Sequence, residues 1–179
     1  MSAVIGLRDG TVLVRAYTTD WPRLFREERE RLQACIGDLV RDIQHIGSTA
    51  VPGLDAKPVL DIGVAVDSFE GAFSCIPLLE SIGYVYEGEL GIPRRHYFWK
   101  GRPRTHQLHM NERRSDDWKR TIAFRDTLRR RADLALAYAA LKRDLARKHP
   151  ENLAAYTEGK TPFIEDVLKM ETDRMLRED

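Results

Sequence analysis

The sequence predicts an α/β fold: a small mixed sheet with helices on one face, followed by a helical C-terminal region that closes over the open face. Three observations carry that expectation. Residues 58–66 form a run rich in Val, Ile and Leu, broken by one carboxylate, Asp61, and ended by Asp67-Ser68, the pattern of a buried strand. Before it, Gly47, Ser48, Pro52 and Gly53 fall close together and mark a tight loop. After Asn111 the texture turns helical, with Leu134, Tyr138, Leu141 and Leu145 at spacings of four, three and four. The expected division is an α/β core over residues 1–111 and a helical region over 112–179 packed on it.

The elements follow in order. Residues 11–17 read as a first strand, with Val12 and Val14 alternating against Leu13 and Arg15. Asp20-Trp21-Pro22 starts a helix, the proline preset for the first turn and Asp20 at the positive end. Phe25, Leu32 and Ile36 then recur close to helical spacing, so this helix should pack on the sheet. Residues 39–46 are the strand leading into the loop, 68–82 a helix stopped by Gly83, and 84–87 and 95–100 two further strands. Gly101-Arg102-Pro103 turns the chain into a strand over 105–111. Helices are expected from Ser115 to about Arg131, over 134–148 with Pro150 as the stop, and from Pro162 to about Arg177.

Bulk properties narrow the function classes. The chain has 179 residues, 42% hydrophobic and 32% charged, and 29 basic against 28 acidic side chains leave a net charge of +1. Such a balance does not ask for a nucleic-acid partner. Residues 1–20 lack the apolar core of a signal peptide, and no run approaches membrane-spanning length, so no membrane association and a cytoplasmic location are expected. Cys35 and Cys75 have no paired spacing with His, which argues against a disulfide framework or a zinc site.

The loop and strand together have the layout of a phosphate site. Gly47 opens backbone conformations closed to other residues, and Ser48 and Thr49 add hydroxyl donors beside amides that can converge on an anion. Asp61, isolated in an apolar strand, needs a partner: either a divalent metal ion or the backbone amides of the loop. Parity on residues 105–111 puts His106, Leu108 and Met110 on one face and Gln107, His109 and Asn111 on the other, the side assigned to Asp61. His109 is then a ligand, a general base, a donor to substrate or a structural histidine. Arg94 to Arg104 is basic with interleaved aromatics and suits either an anion or a charged edge hairpin; Arg104 is its best phosphate contact. Gly159-Lys160-Thr161 is not a P-loop, because the required upstream glycine falls at Ala154. Arg129-Arg130-Arg131 reads as a solvated helix end.

The run His45-Ile46-Gly47-Ser48-Thr49-Ala50-Val51-Pro52-Gly53-Leu54-Asp55-Ala56-Lys57-Pro58-Val59-Leu60-Asp61-Ile62, with Thr105-His106-Gln107-Leu108-His109 and Tyr156-Thr157-Glu158-Gly159-Lys160, resembles the GrpB family. Gly47-Ser48 followed by an apolar-Asp-apolar strand is similar to the signature of the nucleotidyltransferase superfamily, with its DNA polymerase β-like palm. The resemblance implies a nucleoside triphosphate as substrate, ATP first among candidates, held with Mg²⁺ at Asp61. Gly47, Ser48, Thr49, Lys57, Arg104 and Lys160 become phosphate contacts, with Lys57 equally readable as a solvated loop lysine. His45, Gln107 and Tyr156 become substrate contacts, and Asp61 and His109 the catalytic pair. The implied reaction moves a nucleotidyl group onto a small-molecule acceptor, or adenylates one for ligation. The superfamily pattern has a second carboxylate two residues after the first, where this chain has Gly63. That departure supports an alternative, a nucleotide- or anion-binding regulatory domain without transfer activity. The basic aromatic stretch supports a third reading, an RNA-associated transferase.

Overall fold

The structure, a computed structural model, describes residues 4–178; residues 1–3 and 179 of the expected core and helical region lie outside them. Five strands, β1 (Asp42–Ile46), β2 (Leu60–Val66), β3 (Tyr84–Tyr86), β4 (Arg95–Lys100) and β5 (His106–Glu112), form one sheet in the order β1-β2-β5-β4-β3. β2 and β5 run parallel at its centre, and the other three pairs are antiparallel. The sheet is mixed, as the sequence predicts.

Alternation along β2 decides which side each partner takes. Leu60, Ile62, Val64 and Val66, with Ile43, Phe98, Leu108 and Met110, bury themselves against Trp21, Phe25, Leu32 and Ile36 of α1 (Asp20–Ile36) and Cys75 and Leu79 of α2 (Cys75–Ser81). Each full burial of such a side chain contributes about 1.5–3 kcal/mol. The opposite face presents Asp61, Gly63 and Ala65 beside Gln107, His109 and Asn111. Onto this side fold α3 (Asp116–Arg130), α4 (Ala132–Lys148) and α5 (Leu153–Glu178). Ser115 caps α3 by accepting from the Trp118 amide at 3.2 Å, with Asp116 and Asp117 in the first turn. A small cluster of Val51 and Leu54 with Leu128, Tyr138 and Ala139 joins the Gly-Ser loop to these helices.

Four elements differ from expectation. Residues 11–17 form no strand: Arg15 pairs singly with Ala56, and the Val12 amide donates to the Pro150 carbonyl at 2.8 Å. Val12 is buried as its alternation predicts, but against Leu145 and Tyr156 of the helices, not a sheet edge. The expected strand over 39–46 begins only at Asp42, after a 3-10 turn at Gly37–Leu39. The expected helix over 68–82 divides into a 3-10 turn, Gly71–Ser74, and the short α2, with Pro77 in its first turn where a missing amide costs little. α5 starts at Leu153 rather than Pro162, which lies inside it. Burial of Tyr156 before the proline and of Val167 and Leu168 after it holds the helix through the lost hydrogen bond. Among the described residues no helix is long and apolar enough to cross a membrane.

Candidate functional site

Gly47 has φ +68, and a Cβ added there would lie 2.5 Å from Asp61 Oδ2. The loop backbone therefore rests directly on the carboxylate, and both the torsion and the space demand glycine. Ser48 opens the 3-10 turn Ser48–Ala50 and is half-buried. Two arginines of α3 fasten this loop. Arg125 Nη1 donates to the His45 carbonyl at 2.9 Å, and Arg129 donates to the Ala50 carbonyl from Nε at 3.0 Å and Nη2 at 2.8 Å. The arginine run expected as a solvated helix end is thus a clasp at Arg129, while Arg130 pairs with Glu171 and Arg131 with Asp133.

His45 and Thr49 do not join the site. His45 pairs in register with Ile62, so its ring points to the helix side, stacks on Phe25 at 4.6 Å and hydrogen-bonds Thr49 Oγ1 at 2.9 Å. Both side chains are buried there and hydrogen-bonded to each other, apart from Asp61.

Asp61 faces the other way, opposite Gln107 in the parallel register and one residue from Gly63, whose partner is His109. The His109 Nε2 lies 3.6 Å from Asp61 Oδ1, and the Asp61 side chain keeps 29% of its exposure. Arg95 Nη1 donates to His109 Nδ1 at 3.4 Å, which leaves Nε2 as the protonated nitrogen facing the carboxylate. His109 thus stands beside Asp61 on the open face, as the parity of residues 105–111 predicts. Burial pushes the Asp61 carboxyl up, but His109, Lys57 and Lys160 outweigh it and hold it below the usual carboxylate range.

The cations around Asp61 outnumber it. Lys57 sits over the Tyr156 ring at 5.7 Å and Lys160 over the same ring at 4.7 Å, and neither ammonium has a hydrogen bond among the described residues. Burial lowers the Lys160 ammonium to about 8, with Lys57 adding repulsion against the pull of Asp61. Lys57 is lowered by burial too. Lys142, which sequence reasoning missed, is buried, donates to the Asp55 carbonyl and lies 4.8 Å over the Tyr138 ring; burial and Lys160 bring it to about 7. A lysine four residues after Tyr138 on the apolar row of α4 was the available signal. Arg104 stands at the rim, donating to Tyr97 Oη at 3.2 Å and paired with Asp9 at 3.2 Å, with its Nε buried and unpartnered.

The position of the second carboxylate is closed. A Cβ on Gly63 would meet Trp118 Cζ3 and Ile46 Cγ2 at 3.0 Å, so the α3 indole fills the space a carboxylate would need. Asp117 of α3 accepts from Asn111 Nδ2 at 2.7 Å. Among the described residues no group of three His, Cys, Asp or Glu is arranged to hold a metal ion. One carboxylate ringed by lysines does not fit a two-ion centre, which needs several oxygen ligands.

A family model described as "GrpB protein" matches residues 11–170. The protein YqkA of Bacillus subtilis (strain 168) is 40% identical over 149 residues, which cover 83% of this chain and 43% of YqkA, so the chain spans less than half of that relative. The crystal structure of conserved protein GrpB from Enterococcus faecalis superposes with a TM-score of 0.84 at 34% identity, covering 92% of this chain and 99% of that one. A crystal structure of the Cid1 poly(U) polymerase bound to MgATP gives a TM-score of 0.56 at 14% identity, over 82% of this chain and 50% of that one. That last likeness shows the fold alone, a nucleotidyltransferase-like mixed sheet with a helical C-terminal region.

Proposed function

The chain belongs to the GrpB family, and from that premise we propose that it binds the phosphate groups of a nucleotide between the Gly47-Ser48 loop, Asp61 and the first turns of α5. The observation that carries this reading is the pair of ammonium groups, Lys57 and Lys160, set over one buried tyrosine ring without a hydrogen bond among the described residues. Both lysines are half-buried, and partly desolvated cations gain from an anion that meets them. A phosphate chain offers several charges and acceptors at once, and the Gly47-Ser48 backbone supplies further donors. Lysines here take the neutralising part that metal ions take in a two-carboxylate site.

Isothermal titration with inorganic tripolyphosphate and with ATP, in EDTA and in Mg²⁺, tests the reading. Binding without metal is expected, weakened about tenfold by Lys160→Ala, the loss of roughly one charge-assisted contact. Binding that requires Mg²⁺ and vanishes in Asp61→Asn would instead make the carboxylate a metal ligand.

The partial exposure of Asp61 favours a second reading, in which the chain is a transferase. Asp61, ionised beside His109, would accept the proton of an acceptor hydroxyl as the nucleotidyl group moves to a small molecule, or to a carboxylate for ligation. Pyrophosphate release abolished in Asp61→Asn, with the melting temperature retained, is its signature. Nucleic acid is not the partner in either reading, in keeping with the net charge of +1.

A further inference from the structure

Past Asp61 the open face of the sheet continues to a patch that the phosphate reading leaves unused. In register with Asp61 stand Gln107 of β5 and then Trp99 of β4, about 10 Å away across two strand spacings. The Trp99 indole is pinned by donating from Nε1 to Glu87 Oε1 at 2.8 Å, and the Arg104 guanidinium lies 5.0 Å over its ring. Arg104 is pinned too. Its backbone exchanges hydrogen bonds with Leu7 at 2.9 and 3.0 Å, and its Nη1 donates to Tyr97 Oη at 3.2 Å. Lys57 joins this patch to the phosphate cleft, being within electrostatic reach of both Asp61 and Arg104.

The guanidinium so held is incompletely used. Its edge formed by Nε and Nη2 is the one that takes a carboxylate squarely, one oxygen on each nitrogen. Arg131 shows that arrangement in this chain, donating to Asp133 from Nε at 2.9 Å and from Nη2 at 2.7 Å. On Arg104 the same edge meets Asp9 through Nη2 alone, at 3.2 Å, while Nε is buried with no partner among the described residues. A buried donor without an acceptor is costly. Asp9 belongs to an exposed turn over residues 8–11, and its side chain is 68% exposed, so it reaches the arginine from outside and meets one nitrogen of two. Gln107, on the row between Trp99 and Asp61, is half-buried, and its side-chain amide has no hydrogen bond among the described residues.

We infer that Arg104 is the anchor for the carboxylate of a small organic acid, which displaces Asp9 and takes Nε and Nη2 together. A planar carboxylate uses both of its oxygens on that edge, whereas a phosphate leaves an oxygen and a charge over, with Nη1 already spent on Tyr97. The role of the acid rests on the transferase reading above: it is the acceptor, its carboxylate on Arg104 and its reacting end extended past Gln107 to Asp61. Asp9 holds the place of the acid until one arrives.

Glutarate, a flexible diacid, is the probe, titrated into the full chain by calorimetry and by NMR of the Arg104 Nε–H, a signal assigned by its absence in Arg104→Lys. A saturable downfield shift of that proton is expected, with affinity on the order of millimolar. Asp9→Asn, which removes the competing charge, should tighten glutarate about two- to fivefold, the worth of an exposed ion pair. Arg104→Lys keeps the charge but loses the fork and should weaken it about tenfold. Tripolyphosphate, which meets the lysines, should bind both variants within about twofold of the unaltered chain. No saturable shift, an Asp9→Asn chain no tighter for glutarate, or inorganic phosphate that binds Arg104 more tightly than glutarate each overturns the inference and leaves the phosphate cleft standing. Should Asp61→Asn fail the pyrophosphate test of the transferase reading, the acceptor role falls and the carboxylate anchor remains.

Discussion

The sheet carries a cluster of buried charge on each face, and the two are built on different arithmetic. On the side covered by α1 and α2, Glu28, 2% exposed, accepts from Lys100 Nζ at 2.8 Å and Tyr84 Oη at 2.8 Å, with Arg31 at 3.4 Å. Burial raises the Glu28 carboxyl, and Lys100 and His106 more than reverse it. Every charge there has its partner within the chain. On the other side Asp61 faces His109, Lys57 and Lys160, and among the described residues neither ammonium group has a hydrogen-bond partner. The same chemistry is closed upon itself on one face and left open by one partner on the other.

The largest expected effect is on the closed cluster. Glu28→Ala leaves the half-buried Lys100 and the buried Tyr84 hydroxyl without their carboxylate and should cost about 3–5 kcal/mol in denaturant unfolding. The folded fraction should bind tripolyphosphate as before; a loss of affinity would mean the two clusters are coupled through the sheet.

Acid should strike the closed face next. Burial lowers both His45 and His106 to about 4 from 6.5. The folded chain therefore favours the neutral rings: their contribution is full above pH 6.5 and is lost as pH falls toward 4, on the order of 3 kcal/mol per histidine. Denaturation midpoints measured between pH 7 and pH 4 should fall across that window, and His106→Gln should flatten the slope. A midpoint indifferent to pH over this range would place both rings in water.

Restoring the missing acid sharpens the contrast within the open face. Gly63→Asp drives a side chain into Trp118 and Ile46 and should destabilise by about 1–3 kcal/mol. No loss of stability would show that the indole does not seat on Gly63. The smallest effect is on binding: with Lys160 at about 8, tripolyphosphate affinity should fall about tenfold between pH 7 and pH 9. Lys160→Met should remove most of that slope with unchanged or slightly raised stability, since a half-buried cation without a hydrogen bond among the described residues is lost.

Much of this was legible before the structure. The β-branched run around Asp61 needed burial on both faces and became the centre of the sheet, and period-two alternation placed Gln107 and His109 beside Asp61. The same parity applied to β1 separates His45, opposite Ile62, from Ile46, opposite Asp61. Pro162 was taken as a helix start because propensity says so; tertiary burial of Tyr156 decided otherwise. Trp118 over Gly63 was out of reach, since no local pattern tells which residue fills the gap above a distant glycine. Arg125 was within reach, seven residues beyond Trp118 on the buried row of α3.

The clasp between α3 and the Gly-Ser loop has a consequence for how a ligand would be received. Four hydrogen bonds from Arg125 and Arg129 end on Gln44, His45 and Ala50, on both sides of the loop. A cleft tied in this way has no hinge at its back wall, because swinging the helices away would strip buried carbonyls of their donors. Recognition would then proceed on a preformed mould, with little ordering entropy spent on arrival and with release governed by the ligand's own contacts rather than by the opening of a lid.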